Sequence, residues 1–107
     1  MRYRFSDHAI ENIEERTEAT TSNILRALSQ KWSIPLGSAD RYEYMLLYEP
    51  EADTYLIAVI VSGTRLVHSV WKHRYRVPSS VKAATRKRRQ HVRDRYYDDV
   101  CYQLAPQ

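Results

Sequence analysis

The sequence predicts an α+β domain with an antiparallel sheet of four to five strands, two N-terminal helices on one face and a long basic C-terminal helix. Three runs of alternating or apolar residues, separated by tight turns, occupy residues 41–73, which favours an antiparallel meander. Two short helical segments precede this meander and one long helical segment follows it. A chain of 107 residues is enough for one modest core, so residues 1–107 are predicted to form a single domain.

The N-terminal elements are a short strand and two helices. The alternating stretch MRYRF predicts an opening strand. Ser6 or Asp7 can cap a helix over residues 7–16, DHAIENIEER, whose apolar residues share one side. The polar segment TEATTSN ends this helix, and NILRALSQ has apolar residues at the spacing of a second helix.

The sheet region follows the two helices. KWSIPLG predicts a short strand at a sheet edge, because Pro35 cannot donate a hydrogen bond to a central ladder. Residues 41–49, 54–62 and 65–73 are the three strands of the meander. The middle run is apolar on both faces, so we expect it in the centre of the sheet. The helices are expected on one face of this sheet.

The predicted C-terminal helix, residues 79–104, is strongly basic, apart from a narrow stripe expected to pack on the sheet. That stripe consists of Val81, Thr85, Arg88, Val92, Tyr96 and Val100. Residues 71–96 hold ten Lys/Arg against one acid, Asp94, whereas residues 1–70 hold seven Lys/Arg against ten acids. Positive charge is therefore concentrated in the last third of the chain, which predicts a polyanionic partner, RNA or DNA. The residues predicted to bind nucleic acid are Lys72, Arg76, Lys82, Arg86, Arg88, Arg89 and Arg93.

Several classes of protein are disfavoured by composition. No apolar run approaches the ~20 residues needed to cross a bilayer, and the N-terminus lacks the apolar region of a secretory signal. The lone cysteine, Cys101, cannot form an internal disulfide. No pair of His or Cys has the spacing of metal ligands. We therefore expect a cytoplasmic protein with no membrane association, no metal and no cofactor.

A pattern in FSDHAIENIEERTEATTSNILRAL points to a family. A strand is followed by His-Ala, an apolar pair, an arginine, and a second helix that ends in a small residue and leucine. Over about residues 3–75 the chain resembles small bacterial domains related to the RelE and BrnT toxins. This resemblance implies the metal-independent ribonuclease fold of the barnase, colicin and RelE group, and a small acidic antitoxin as partner. The matching residues are Phe5, His8, Ala9, Ile13, Arg16, Ile24, Ala27 and Leu28.

Histidines and arginines supply the groups that RNA cleavage without a metal needs. A base removes the 2′-OH proton, a cation stabilises the phosphorane, and an acid protonates the departing 5′-oxygen. Histidine suits both proton roles near neutral pH, and we expect His8 to share them with His68 or His73. Arginine suits the phosphorane because its donors form a planar fork. The arginine candidates are Arg16, Arg74 and Arg76, and the predicted scissile-phosphate contacts are Lys72, Arg74 and Arg76.

Strand alternation leaves two choices for the residues that line a cleft. One choice groups His68, Lys72, Arg74 and Arg76, and the other groups Ser69, Trp71, His73 and Tyr75. Charge favours the first choice, because burying a lysine and two arginines beneath helices is costly.

The leading interpretation is a small toxin-like endoribonuclease that cleaves RNA, free or ribosome-bound, by 2′-OH attack. The alternative is a non-enzymatic nucleic-acid-binding regulator, or a phage or mobile-element interaction protein, that uses the same basic surface. A protein-only interaction module is the third interpretation, but it gives the basic block no role.

Overall fold

The computed structural model describes residues 2–17, 19–30, 32–50, 53–72 and 78–104, with side chains up to Asp99. The elements occur in the predicted order, β-α-α-β-β-β-β-α. They are β1 (Arg4–Phe5), α1 (Asp7–Arg16), α2 (Thr21–Ser29), β2 (Ser33–Ala39), β3 (Tyr42–Glu49), β4 (Thr54–Val61), β5 (Leu66–Lys72) and α3 (Ser79–Leu104). Within these ranges, no helix is long and apolar enough to cross a membrane.

The five strands form one mixed sheet in the order β1-β5-β4-β3-β2. The meander from β2 to β5 is antiparallel, and β2 is an edge strand, as the position of Pro35 predicted. The prediction of a fully antiparallel sheet was wrong for one pair, because β1 runs parallel to β5. A tight turn fixes strand direction only between strands that are neighbours in sequence. About sixty residues separate β1 from β5, so no turn constrains their relative direction.

The helices cover both faces of the sheet, which corrects the prediction that they lie on one face. Helices α1 and α2 pack on one face, whereas α3 crosses the other face over β2 and β3. The physical reason lies in β3 and β4, which carry apolar residues on both faces and therefore need two covers. The buried residues on the α3 side are Ile34, Leu36, Tyr44, Leu46, Tyr48, Ile57, Val59, Trp71, Val81 and Val92.

Helix α3 packs through the narrow stripe that its sequence predicted. Val81, Thr85 and Val92 are buried, and Tyr96 is half-buried. Arg88, which falls on the same stripe, is exposed and donates a hydrogen bond to the Pro35 carbonyl at 3.5 Å. The helix therefore lies with a thin apolar line against the sheet and leaves most of its basic residues in solvent.

A β-bulge interrupts β5 at His68. Val67 pairs with Ile60 and Ser69 pairs with Val59, so His68 is an additional residue between them. A bulge shifts the alternation of side chains in one strand relative to its partner. Simple alternation along residues 66–72 therefore fails at His68, and side chains before and after the bulge do not keep one alternating pattern.

Candidate catalytic and nucleic-acid site

Helix α1 lies along β5 and contacts both faces of that strand. Ala9 and Ile13 belong to the same core as Val67 and Val70. On the other face, the guanidinium of Arg16 lies 4.8 Å from the centre of the Trp71 ring. The edge of β5 beyond its short pairing with β1 is therefore covered by α1, and residues of α1 reach the face that carries α3.

Ser6 fixes the start of α1 against the bulge. As N-cap, its hydroxyl accepts a hydrogen bond from the Ala9 backbone N–H at 3.0 Å. The same hydroxyl donates to the His68 carbonyl at 2.8 Å, and the Ser6 backbone N–H donates to the Val67 carbonyl at 3.0 Å. These bonds place His8, in the first turn of the helix, beside His68.

The two histidines lie in one aromatic cluster. The ring centroids of His8 and His68 are 5.7 Å apart. The ring of Tyr42 stacks on His68 with a centroid separation of 5.0 Å and an interplanar angle of 29°. The Trp71 ring lies edge-on to His8, with a centroid separation of 6.4 Å. We call His8, Asn12, Arg16, Tyr42, His68 and Trp71 the histidine site.

Three members of the histidine site form one stripe of α1. His8, Asn12 and Arg16 are spaced by four residues, which places them one above another on a helix. His8 and Arg16 are exposed, whereas Asn12 is only 3% exposed. Among the described residues, its Oδ1 has no hydrogen-bond partner. An unpaired buried acceptor costs about 1–3 kcal/mol, so we expect the Asn12 carboxamide to lower the stability of the fold.

The structure brings His8 and His68 together but separates them from Lys72. His68 stacks on Tyr42 on the α3 side of the sheet. Lys72 pairs with Leu56, whose side chain belongs to the core beneath α1 and α2. The predicted grouping of His68 with Lys72 is therefore wrong, because the bulge places His68 on the same face as Ser69 and Trp71. The other predicted grouping holds for Ser69 and Trp71, its two members among the described residues. The predicted residues His73, Arg74 and Arg76 lie outside the described residues.

The residues of α3 that were predicted to bind nucleic acid lie on two sides of the helix. Lys82, Arg86, Arg89 and Arg93 are spaced by four, three and four residues, which places them on one side of the helix. Arg89 and Arg93 on this side approach Tyr55 of β4 and Tyr97 respectively, at 5.8 Å and 5.5 Å. Arg88 lies on the β2 side of the helix, where it donates to Pro35. We call Lys82, Arg86, Arg89 and Arg93, together with Tyr97, the basic stripe.

A polar network joins the end of β3 to the basic stripe. The Tyr48 hydroxyl donates to Asp53 Oδ1 at 2.5 Å and lies 3.2 Å from the Tyr97 hydroxyl. Arg93 Nε is 3.8 Å from the same Asp53 oxygen. Burial raises the pKa of Tyr48, and the hydrogen bonds with Asp53 and Tyr97 raise it further, against a smaller lowering by Arg93. The hydroxyl therefore stays protonated and remains the donor to Asp53.

Among the described residues, no three His, Cys, Asp or Glu side chains lie close enough together to hold a metal ion. The histidine site contains imidazoles, a guanidinium, a carboxamide and aromatic rings. Imidazole can take up and release a proton near neutral pH, and guanidinium can bind a phosphate through two donors.

Comparisons with family models, with curated proteins and with solved structures find no match to this chain. The functional argument therefore depends on the geometry of the histidine site and the basic stripe.

Sequence reasoning missed three members of the histidine site. The candidate site residues predicted from the sequence do not include Tyr42 or Asn12, and strand alternation assigns Trp71 to the face opposite His68. The four-residue spacing of His8, Asn12 and Arg16 is visible in the sequence and could have identified the α1 stripe. No feature of the sequence alone locates the bulge at His68.

Proposed function

We propose that the protein is a metal-independent endoribonuclease, and that His8 and His68 are its proton carriers. The observation that carries the proposal is the 5.7 Å separation of their ring centroids at an accessible junction of α1 and β5. Rings this close can act on one phosphodiester group rather than on two. His8 is exposed and His68 is half-buried, so a strand laid across α1 can reach the pair.

In this mechanism, one histidine removes the proton from the 2′-hydroxyl, and the 2′-oxygen attacks phosphorus. The bond to the 5′-oxygen breaks, and the other histidine donates a proton to that leaving oxygen. The products are a 2′,3′-cyclic phosphate and a 5′-hydroxyl. Arg16 supplies positive charge for the phosphorane, and its position over Trp71, which His8 also contacts, keeps the guanidinium beside the histidines.

The basic stripe supports RNA as the substrate. It lies on α3, on the same side of the sheet as His68, and Lys82, Arg86 and Arg89 are exposed. Cations held in a row attract a polyanion and make its binding sensitive to salt. By the resemblance to RelE-type and BrnT-type toxins, we expect a cytoplasmic protein whose basic surface is covered by a small acidic antitoxin when it is inactive.

The experiment is cleavage of mixed-sequence RNA by the full chain in EDTA, on free RNA and on messenger RNA loaded onto ribosomes. We expect 2′,3′-cyclic phosphate ends, and a loss of rate of about 100-fold or more for His8→Ala and for His68→Ala. RNA affinity should change little in either variant. His91→Ala is the matched control, because His91 is exposed on α3 and lies outside the histidine site.

Two results would overturn the proposal. One is intact RNA in both arms, and the other is an unchanged rate in both histidine variants. Intact RNA that is nevertheless bound, with affinity that falls steeply as salt rises, would favour the non-enzymatic nucleic-acid-binding regulator. The exposed cations of α3 are the feature that favours that second function.

A further inference from the structure

We infer that the nucleic acid bound by this protein is single-stranded, that its backbone follows the basic stripe of α3, and that one of its bases stacks on Tyr97. This inference rests on the proposed function, because it defines the form of the substrate that reaches the histidine site. It adds a base-binding residue that the charge pattern does not reveal.

The basic stripe leads from Tyr97 towards the histidine site. Arg95 donates to the Ser33 carbonyl at 3.3 Å and Arg88 to the Pro35 carbonyl. Earlier residues of α3 therefore lie closer to Ala39, which pairs with Tyr42 of the histidine site. From Lys82 to Tyr97 the helix rises about 22 Å, a length that several nucleotides of an extended strand can follow.

Tyr97 has the properties of a stacking surface. It is 42% exposed, and it is the exposed large hydrophobic residue among the described side chains. Its hydroxyl lies 3.2 Å from the Tyr48 hydroxyl, and its ring lies edge-on to Tyr96 at 5.2 Å. These contacts hold the ring in place, so little conformational entropy is lost when a base stacks on it.

On this side of α3, a cation lies beside the exposed ring of Tyr97 and another beside the half-buried ring of Tyr55. The Arg93 guanidinium is 5.5 Å from the centre of the Tyr97 ring, and the Arg89 guanidinium is 5.8 Å from that of Tyr55. Proteins that bind single strands combine a cationic path for the backbone with aromatic rings for the bases. Tyr55 is half-buried and lies beneath the Arg89 guanidinium of the basic stripe.

The exposed ring is what favours a single strand over a duplex or an acidic protein. In a duplex, base faces are stacked against their neighbours and cannot reach a tyrosine. A row of cations alone would attract a duplex, a single strand and an acidic protein by the same electrostatic term. Stacking on Tyr97 adds affinity only for the single strand.

The test is fluorescence anisotropy of a labelled 12-nucleotide 2′-O-methyl RNA, alone and annealed to its complement. The 2′-O-methyl group removes the nucleophile, so binding is measured without cleavage. Tyr97→Ala should weaken single-strand binding about 5- to 150-fold, the range expected for one lost base stack, and should leave duplex binding unchanged. Tyr97→Phe keeps the ring and should bind nearly as well as the wild type. It also shows that any loss in Tyr97→Ala does not come from the missing hydroxyl.

A pair of charge variants tests the path of the backbone. Arg89→Gln should weaken binding and reduce the salt dependence by about one phosphate contact. Lys87→Gln removes the same charge from the exposed side of α3 away from the stripe, and it should bind like the wild type. Equal losses in the two variants would show that only net charge attracts RNA.

The inference is overturned if Tyr97→Ala binds the single strand as tightly as the wild type, or if the duplex loses affinity to the same extent. An acidic protein that competes with RNA equally well in wild type and Tyr97→Ala would assign the stripe to protein binding instead. If cleavage depends on His8 but RNA binding does not depend on Tyr97, the proposed path along α3 is wrong while the proposed ribonuclease activity stands. If single-strand binding depends on Tyr97 but no RNA is cleaved, the path along α3 stands while the proposed ribonuclease activity is wrong.

Discussion

Replacing Tyr48 with phenylalanine tests the polar network that joins β3 to α3. The Tyr48 side chain is 1% exposed, and its hydroxyl donates to Asp53 at 2.5 Å. The variant keeps the ring and its contacts with Tyr55 and Tyr96. The Asp53 side chain is 66% exposed, so water replaces the lost donor. The Tyr97 hydroxyl, 3.2 Å from that of Tyr48, also loses its partner. The cost should therefore be two hydrogen bonds, about 1–3 kcal/mol of unfolding free energy at pH 8, or about 4–13 °C in Tm.

The same substitution has a defined pH dependence. The pKa of Tyr48 is raised above its usual value of 10.0, first by burial and then by its hydrogen bonds with Asp53 and Tyr97. Above pH 10 the unfolded chain loses this proton while the folded chain keeps it, so the unfolded state binds fewer protons. Stability contributed by the hydroxyl is complete below pH 10 and declines above it, by up to about 1.4 kcal/mol per pH unit. The difference between wild type and variant should therefore narrow above pH 10.

Urea unfolding followed by circular dichroism at pH 8, 9, 10 and 11 measures this difference. Tyr44 and Tyr55 also have pKa values raised by burial, but both proteins contain them, so their contributions cancel in the comparison. A difference that stays constant or widens from pH 9 to pH 11 would refute the reasoning. It would mean that Tyr48 loses its proton as readily in the folded as in the unfolded chain.

Two further substitutions test the site and the fold. Asn12→Leu replaces a buried carboxamide whose Oδ1 is unpaired among the described residues, and it should raise the free energy of unfolding by about 1 kcal/mol. A loss of stability in urea unfolding would show that the carboxamide is structurally satisfied. Val92→Ala shortens a side chain of α3 that packs against the sheet and is 0% exposed. The variant should lose about 1–2.5 kcal/mol of unfolding free energy. An unchanged urea midpoint would contradict the packing of α3 on this face of the sheet.

The order of the elements could be predicted because each depends on local patterns. Ser6 caps α1, Pro35 marks an edge strand, and tight turns fix the antiparallel direction of neighbouring strands. The stripe on α3 predicted that Val81 and Val92 pack on the sheet, and both side chains are buried. Each of these inferences involves residues close together in sequence or a helical period of known length.

The features that were missed depend on contacts between distant parts of the chain. The face covered by α3, and the parallel pairing of β1 with β5, are set by tertiary packing. The bulge at His68 is an irregularity of one residue in a run that still looks like a regular strand, and it changes which residues join His8. A pattern of period two cannot reveal such a shift, so the composition of the histidine site needed the structure.

The most direct test of the central claim is the pH dependence of RNA cleavage by wild type, His8→Ala and His68→Ala. If the two histidines serve as base and acid, the wild-type kcat/KM should follow a bell-shaped curve across the range in which histidine titrates. The residual activity of each variant should lack one limb of the bell, and the two variants should lack opposite limbs. Two variants that both keep the complete wild-type curve, or a wild type that cleaves no RNA at any pH, would contradict the account.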